Sequence, residues 1–157
     1  MWEFMSSDIE NISLHDNSID QIQLADNDIL LIFNEGFDVH NAHPLNDTGK
    51  AKRTTASQII LSDARLIGGV IHHHNMQSNQ VGDECISISW LLETAWQFEV
   101  SDWSLKYDPE KGTATLHGYM HLANPYKQEF AELTFACGGA VFCWNGYVGD
   151  AWFEGWP

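Results

Sequence analysis

The sequence predicts an all-β fold, either an antiparallel sandwich or a strongly curved sheet, with little helix. Three observations carry that expectation. Apolar and polar residues alternate with a period of two in several short stretches, and turn residues recur between them. No stretch of about twelve residues keeps a convincing amphipathic helix pattern.

Taken in order, "SIDQIQLADNDILLIFNEGF" alternates Ile19, Ile22 and Leu24, then Ile29, Leu31 and Phe33, about an "ADND" turn. This predicts a hairpin over 18–25 and 28–34, closed by "NEG" before Phe37. Residues 40–56 are polar, contain Pro44 and Gly49, and read as the longest loop. Apolar stretches over 57–62 and 64–73 predict two further strands. In "CISISW", Ile86, Ile88 and Trp90 alternate with Ser87 and Ser89, which predicts a strand; "ISWLLETAWQFE" is the one place where a short helix competes. The turn "DPEKGT" at 108–113 joins "DWSLKYD" to "TATLHGYMHLAN" in a second hairpin. The closing "FAELTFACGGAVFCWNGYVGDAWFE" holds further strand-like runs. No repeat or linker divides the chain, so residues 1–157 are expected to form one domain around one core, for which seven Trp and eight Phe are ample.

Charge is the strongest global signal. There are 22 acidic residues against 7 basic, a formal net charge of −15. Residues 1–49 hold ten Asp or Glu and no Lys or Arg. Such a field repels nucleic-acid phosphates and anionic lipid and speeds encounter with a basic protein, although acidity also simply keeps a protein soluble. Asp16, Asp20, Asp26, Asp28, Glu35 and Asp38 are the carboxylates expected in an acidic partner-binding patch, with Asp16 and Asp26 also suited to turns. Lys50, Lys52 and Arg53 form the first basic cluster, either solubilising their loop or anchoring an anion. Asp83, Glu84, Glu93, Glu99 and Asp102 would serve acid/base hydrolysis, but carboxylates are too abundant here to single out a pair.

No apolar run approaches the roughly 20 residues of a membrane helix, and the first residues lack the pattern of a secretory segment. Cys85, Cys137 and Cys143 make an odd count without a CxxC pair. These features point to buried free thiols and a cytoplasmic location. The GxSxG elbow and the GxxxxGK[ST] phosphate loop are both missing.

Eight histidines fall into groups: His40 with His43, the run His72–His74, and His117 with His121, while His15 stands alone. On a strand, His72 and His74 share one face and His73 takes the other; His117, Tyr119 and His121 likewise share a face. Two such strands side by side would gather His72, His74, His117 and His121 as candidate ligands for zinc or nickel, in a metal- or small-ligand-binding protein or a hydrolase. The spacing of a matching carboxylate is missing, so solvent-facing or hydrogen-bonded strand histidines are the competing expectation. Clustered imidazoles would also respond to pH. Trp144, Tyr147, Trp152, Phe153 and Trp156 crowd the end of the sequence; Trp144 and Trp152 read as core and Trp156 as a surface contact for a partner.

The stretch "SLHDNSIDQIQLADNDILLIFNEGFDV" (13–39) resembles the start of small acidic bacterial proteins, with its LHD element, hairpin and glycine before an aromatic. "WNGYVGDAWFE" (144–154) is similar to their tryptophan-rich end. Those proteins look like the immunity proteins encoded beside polymorphic bacterial toxins. The resemblance implies no catalytic residues. It implies a non-enzymatic interaction module that neutralises a basic toxin by covering it with an acidic face.

Overall fold

The structure is a computed structural model, and it describes residues 1–75, 80–101 and 105–157. Over the first third lie β1 (Phe4–Ser6), β2 (Ile12–Ser13), β3 (Ser18–Ile19), β4 (Gln21–Ala25), β5 (Asp28–Phe33) and β6 (Asp38–Val39). Then come β7 (Lys52–Thr54), β8 (Ser57–Ser62), β9 (Arg65–Asn75), β10 (Gln80–Cys85) and the single short helix α1 (Ile88–Glu93). The chain continues through β11 (Trp96–Val100), β12 (Lys106–Asp108), β13 (Thr113–Leu122), β14 (Lys127–Ala136), β15 (Gly139–Trp144) and β16 (Tyr147–Asp150).

The fold is all-β and antiparallel, as the alternation predicts. A five-stranded sheet has the order β1-β15-β8-β5-β4, and a seven-stranded sheet has the order β10-β9-β14-β13-β11-β3, with β12 beside β13. Period two explains the layering. In β5, Ile29, Leu31 and Phe33 are buried while Asp28, Leu30 and Ile32 are half-buried. In β13, Ala114, Leu116, Gly118 and Met120 are buried while His117 and Tyr119 face outward. The inner faces of both sheets meet in one core cluster that includes Leu31, Phe142 and Trp144 from one side and Phe98, Leu133 and Phe135 from the other. Each such side chain contributes roughly 1.5–3 kcal/mol relative to an exposed position. A third sheet, β16-β7-β6-β2, adds Ile12 and Val39 to the same core.

The expected hairpin is β4–β5, with Ile22 opposite Leu31 and Asp26 at φ 54° in the turn. Residues 18–19 do not belong to it: they form β3 and pair with β11 on the other sheet. Leu24, expected inside with Ile22, is 53% exposed because β4 is an edge strand. The 40–56 loop ends in β7 at Lys52, earlier than expected. The turn at 108–113 is present, with Asp108 Oδ1 accepting from the backbone N–H of Glu110 at 3.1 Å and of Lys111 at 3.3 Å. Its first strand is only β12, paired with Thr113–Thr115; Asp102 lies outside the described residues.

The alternation over 86–90 misleads. The hydroxyl of Ser87 accepts from the N–H of Trp90 at 3.2 Å and caps α1, which buries Leu91. An N-cap hydroxyl three residues ahead of an apolar run offsets the strand bias of "ISIS". Gly36 has φ +75°, and a Cβ there would collide with the Thr54 backbone and side chain, so the turn "NEG" needs glycine.

Candidate functional site: the outer face of the seven-stranded sheet

The predicted histidines gather on the outer face of the seven-stranded sheet, but not in the arrangement expected. β9 and β13 are not neighbours: β14 runs between them. Register then sets the contacts. Asp83 on β10 lies opposite His72 on β9, His72 opposite Phe130 on β14, Glu132 on β14 opposite His117 on β13, and Tyr119 opposite both Phe130 and Glu99 of β11.

Two chains of imidazole–carboxylate contacts result. His72 Nδ1 lies 2.7 Å from Asp83 Oδ1, and its Nε2 lies 3.2 Å from Glu132 Oε2. The other oxygen of Glu132 lies 3.0 Å from His117 Nδ1. Farther across the sheet, His121 Nε2 is 3.0 Å from Glu99 Oε2 and its Nδ1 is 2.8 Å from the Tyr126 hydroxyl. The hydrogen bonds that His72 donates to Asp83 and then to Glu132 hold its imidazole above its ordinary pKa, against the opposing effect of partial burial. With a carboxylate on each ring nitrogen, His72 is satisfied only as a cation donating from both.

Aromatic rings fill the space between the charges. The Phe130 ring stacks on His72 at 5.7 Å and 22°, on His117 at 6.4 Å and 22°, and meets Tyr119 edge-on at 6.0 Å. Phe130 is 36% exposed and Tyr119 39% exposed, so both rings are open to a partner. His73 takes the opposite side of β9, as alternation requires, where its Nε2 bonds Glu84 and it lines a recess with Trp90 and Pro125. His74 is exposed, and its backbone N–H donates to Glu129 at 3.1 Å.

For zinc or nickel, among the described residues no group of three His, Cys, Asp or Glu side chains is placed to hold a metal ion. His72 and His117 instead share Glu132 pairwise, and His121 belongs to a separate chain with Glu99. His43 serves the fold. It is buried, its Nδ1 accepts from the Leu45 N–H at 3.0 Å, its Nε2 meets Ser6 Oγ at 3.1 Å, and burial lowers its pKa.

The six carboxylates expected in a single patch are dispersed. Asp38 is the clearest correction: it is fully buried, bound to Arg53 Nε at 2.8 Å and Nη2 at 3.3 Å and to Asn17 Nδ2 at 3.1 Å. β6 carries it inward because Val39 and Asp38 are both covered at the junction of the sheets. Asp16 and Asp26 adopt left-handed turn conformations at φ 61° and 54°. Asp20 Oδ2 accepts from the Asn34 N–H at 2.9 Å, near exposed Glu35. Asp28 sits at the other end of β5, about 17 Å away by strand rise. Lys50, Lys52 and Arg53 are taken up internally: Lys52 reaches Asp150 at 2.7 Å, Lys50 at 3.5 Å, and Arg53 reaches Asp38. The Lys52 hydrogen bond keeps Asp150 below the usual carboxylate range.

Near the end of the chain, Trp144 is fully buried, but Trp152 is 42% exposed rather than core. It meets His15 at 5.3 Å, Phe153 at 5.4 Å and the exposed Trp156 at 5.2 Å. Cys137 and Cys143 are buried free thiols, and burial pushes Cys143 up to about 11; Cys85 is exposed. Among the described residues no helix is long and apolar enough to cross a membrane.

Sequence reasoning missed Glu132, Phe130 and Tyr126. Their signal was present in "MHLANPYKQEFAELTF", where a turn at "ANPY" folds 127–136 back onto 113–122 and sets Glu132 against His117. Compared with known proteins, the chain matches no family model, no curated protein and no solved structure.

Proposed function

We propose that this chain is a non-enzymatic protein-interaction module that covers a basic partner, and that its docking surface is the outer face of the seven-stranded sheet. One observation carries the reading. Asp83 and Glu99 stand at the two ends of one cross-strand row that runs through His72 and the open rings of Phe130 and Tyr119, and Glu132 stands two residues along β14 from Phe130 on the same face. Among the described residues, the Lys and Arg side chains of that face are Arg65 and Lys106, both at its far end opposite Ala136 and Thr115. Carboxylates around partly exposed aromatics suit a cationic surface: charge steers the encounter, and the rings supply contact area. The net charge of −15 acts in the same direction.

An immunity-type role fits this surface. The cationic groove of a nucleolytic toxin is built for phosphates, and these carboxylates would occupy it in their place. The test is titration calorimetry against a strongly basic nuclease as probe, in low and high salt. The reading predicts binding that weakens steeply with salt and weakens again in Glu132→Gln and Glu99→Gln. Absent binding, or salt-insensitive binding untouched by either substitution, would sink it.

A further inference from the structure

Phe130 lies between two imidazoles, each nearly parallel to it at 22°; His72 hydrogen-bonds Glu132, two residues along the same strand, and His117 lies within ion-pair distance of it. A flat nitrogen cation lying over an aromatic ring, with its N–H on a carboxylate, occupies the seat that a guanidinium takes when it stacks and pairs at once. We infer that this seat accepts arginine side chains of the basic partner, and that His72 and His117 are its resident occupants. The inference rests on the docking reading above and gives it a chemistry and a pH dependence.

The groups around the seat set the direction. His72 faces Asp83 from β10, Glu132 and Phe130 from β14, and shares its own face with His74. His117 faces Glu132, while the Ser101 N–H donates to the His117 backbone carbonyl at 3.0 Å. Farther along β13, His121 pairs with Glu99 and Tyr126. Arg65 and Lys106 stand at the end of the face. Protonated between Asp83 and Glu132, His72 neutralises these carboxylates from within, and a partner cation gains little there. As His72 loses its charge, Asp83 and Glu132 remain and the seat becomes anionic. Proton and arginine therefore compete for Glu132, and binding strengthens as pH rises.

The experiment measures the affinity of an octa-arginine peptide for the full chain between pH 5.5 and 8.0 at constant low ionic strength. The native protein is expected to bind about tenfold more tightly at pH 8.0 than at 5.5, and to prefer octa-arginine over octa-lysine. His72→Gln should flatten the pH dependence. Phe130→Leu, which keeps apolar packing but removes the ring face, and Glu132→Gln should each weaken binding at pH 8.0, with circular dichroism confirming the fold. Equal affinity at both pH values, equal affinity for octa-lysine, or an unchanged slope in the histidine variant overturns the arginine seat. Tight octa-arginine binding that Glu132→Gln and Phe130→Leu leave intact overturns the seat while leaving a basic partner in place. Absence of octa-arginine binding at pH 8.0 overturns both readings.

Discussion

Glu132 and His117 stand directly opposite each other on adjacent strands, with Glu132 Oε1 3.0 Å from His117 Nδ1. The second Glu132 oxygen reaches His72, on the strand at its other side. One carboxylate thus couples two imidazoles on separate strands. Its removal should be felt first at His72, whose pKa Asp83 and Glu132 hold up together. Proton NMR titration of the imidazole signals in Glu132→Gln should show His72 moving back toward 6.5, its value without partners. Because the folded-state pKa is raised, this contribution to stability is complete below pH 6.5 and fades as pH rises through the folded value. Denaturant melts should show Glu132→Gln less stable than native at pH 6, by at most about 1 kcal/mol for so exposed a pair, with the difference shrinking at pH 8.5. A difference that grows toward high pH contradicts the assignment.

His43 should work in the opposite direction. It is buried against Trp144, with ring centroids 5.4 Å apart, and its Nδ1 accepts a backbone N–H. Burial lowers its pKa, partly offset by the charge of Asp8. The folded state therefore binds this proton less readily than the unfolded chain, so stability is full above pH 6.5 and falls as pH drops below it. His43→Gln should blunt the acid loss between pH 6.5 and 4.5 in thermal melts. An identical acid profile in the variant would show that His43 does not carry it.

Asp38 is a structural carboxylate. Asp38→Ala leaves the Arg53 guanidinium, whose side chain is 24% exposed, without its bidentate partner, and leaves the Asn17 amide with only the Ser13 carbonyl as acceptor. Breaking such a pair from one side costs about 3 kcal/mol. Urea unfolding should record a loss of that order, and octa-arginine binding should remain as in the native protein. A variant as stable as the native protein would contradict the buried pair.

The fold class was legible because burial on one face of a sheet imposes period two, and Ile29, Leu31 and Phe33 obey it. The helix α1 was less legible, since "ISIS" carries the same alternation and only the Ser87 cap distinguishes it. Alternation correctly split the triple histidine, sending His73 away from His72. It could not supply strand order. That β14 separates β9 from β13 depends on long-range pairing, and with it enters Glu132, the carboxylate that joins the histidines. Asp38 was misplaced for a related reason: a lone aspartate at a strand end reads as surface until Arg53 and Asn17 close over it.

The central claim is that the outer face of the seven-stranded sheet receives the basic partner. Backbone amide chemical-shift mapping during octa-arginine titration at pH 7.5 tests it most directly. The account predicts the largest perturbations at His72, Phe130, Glu132, His117 and Tyr119, fading toward Arg65 and Lys106. Perturbations confined to the β4–β5 hairpin and the Asp16 turn, with the β9, β13 and β14 amides unmoved, would contradict it.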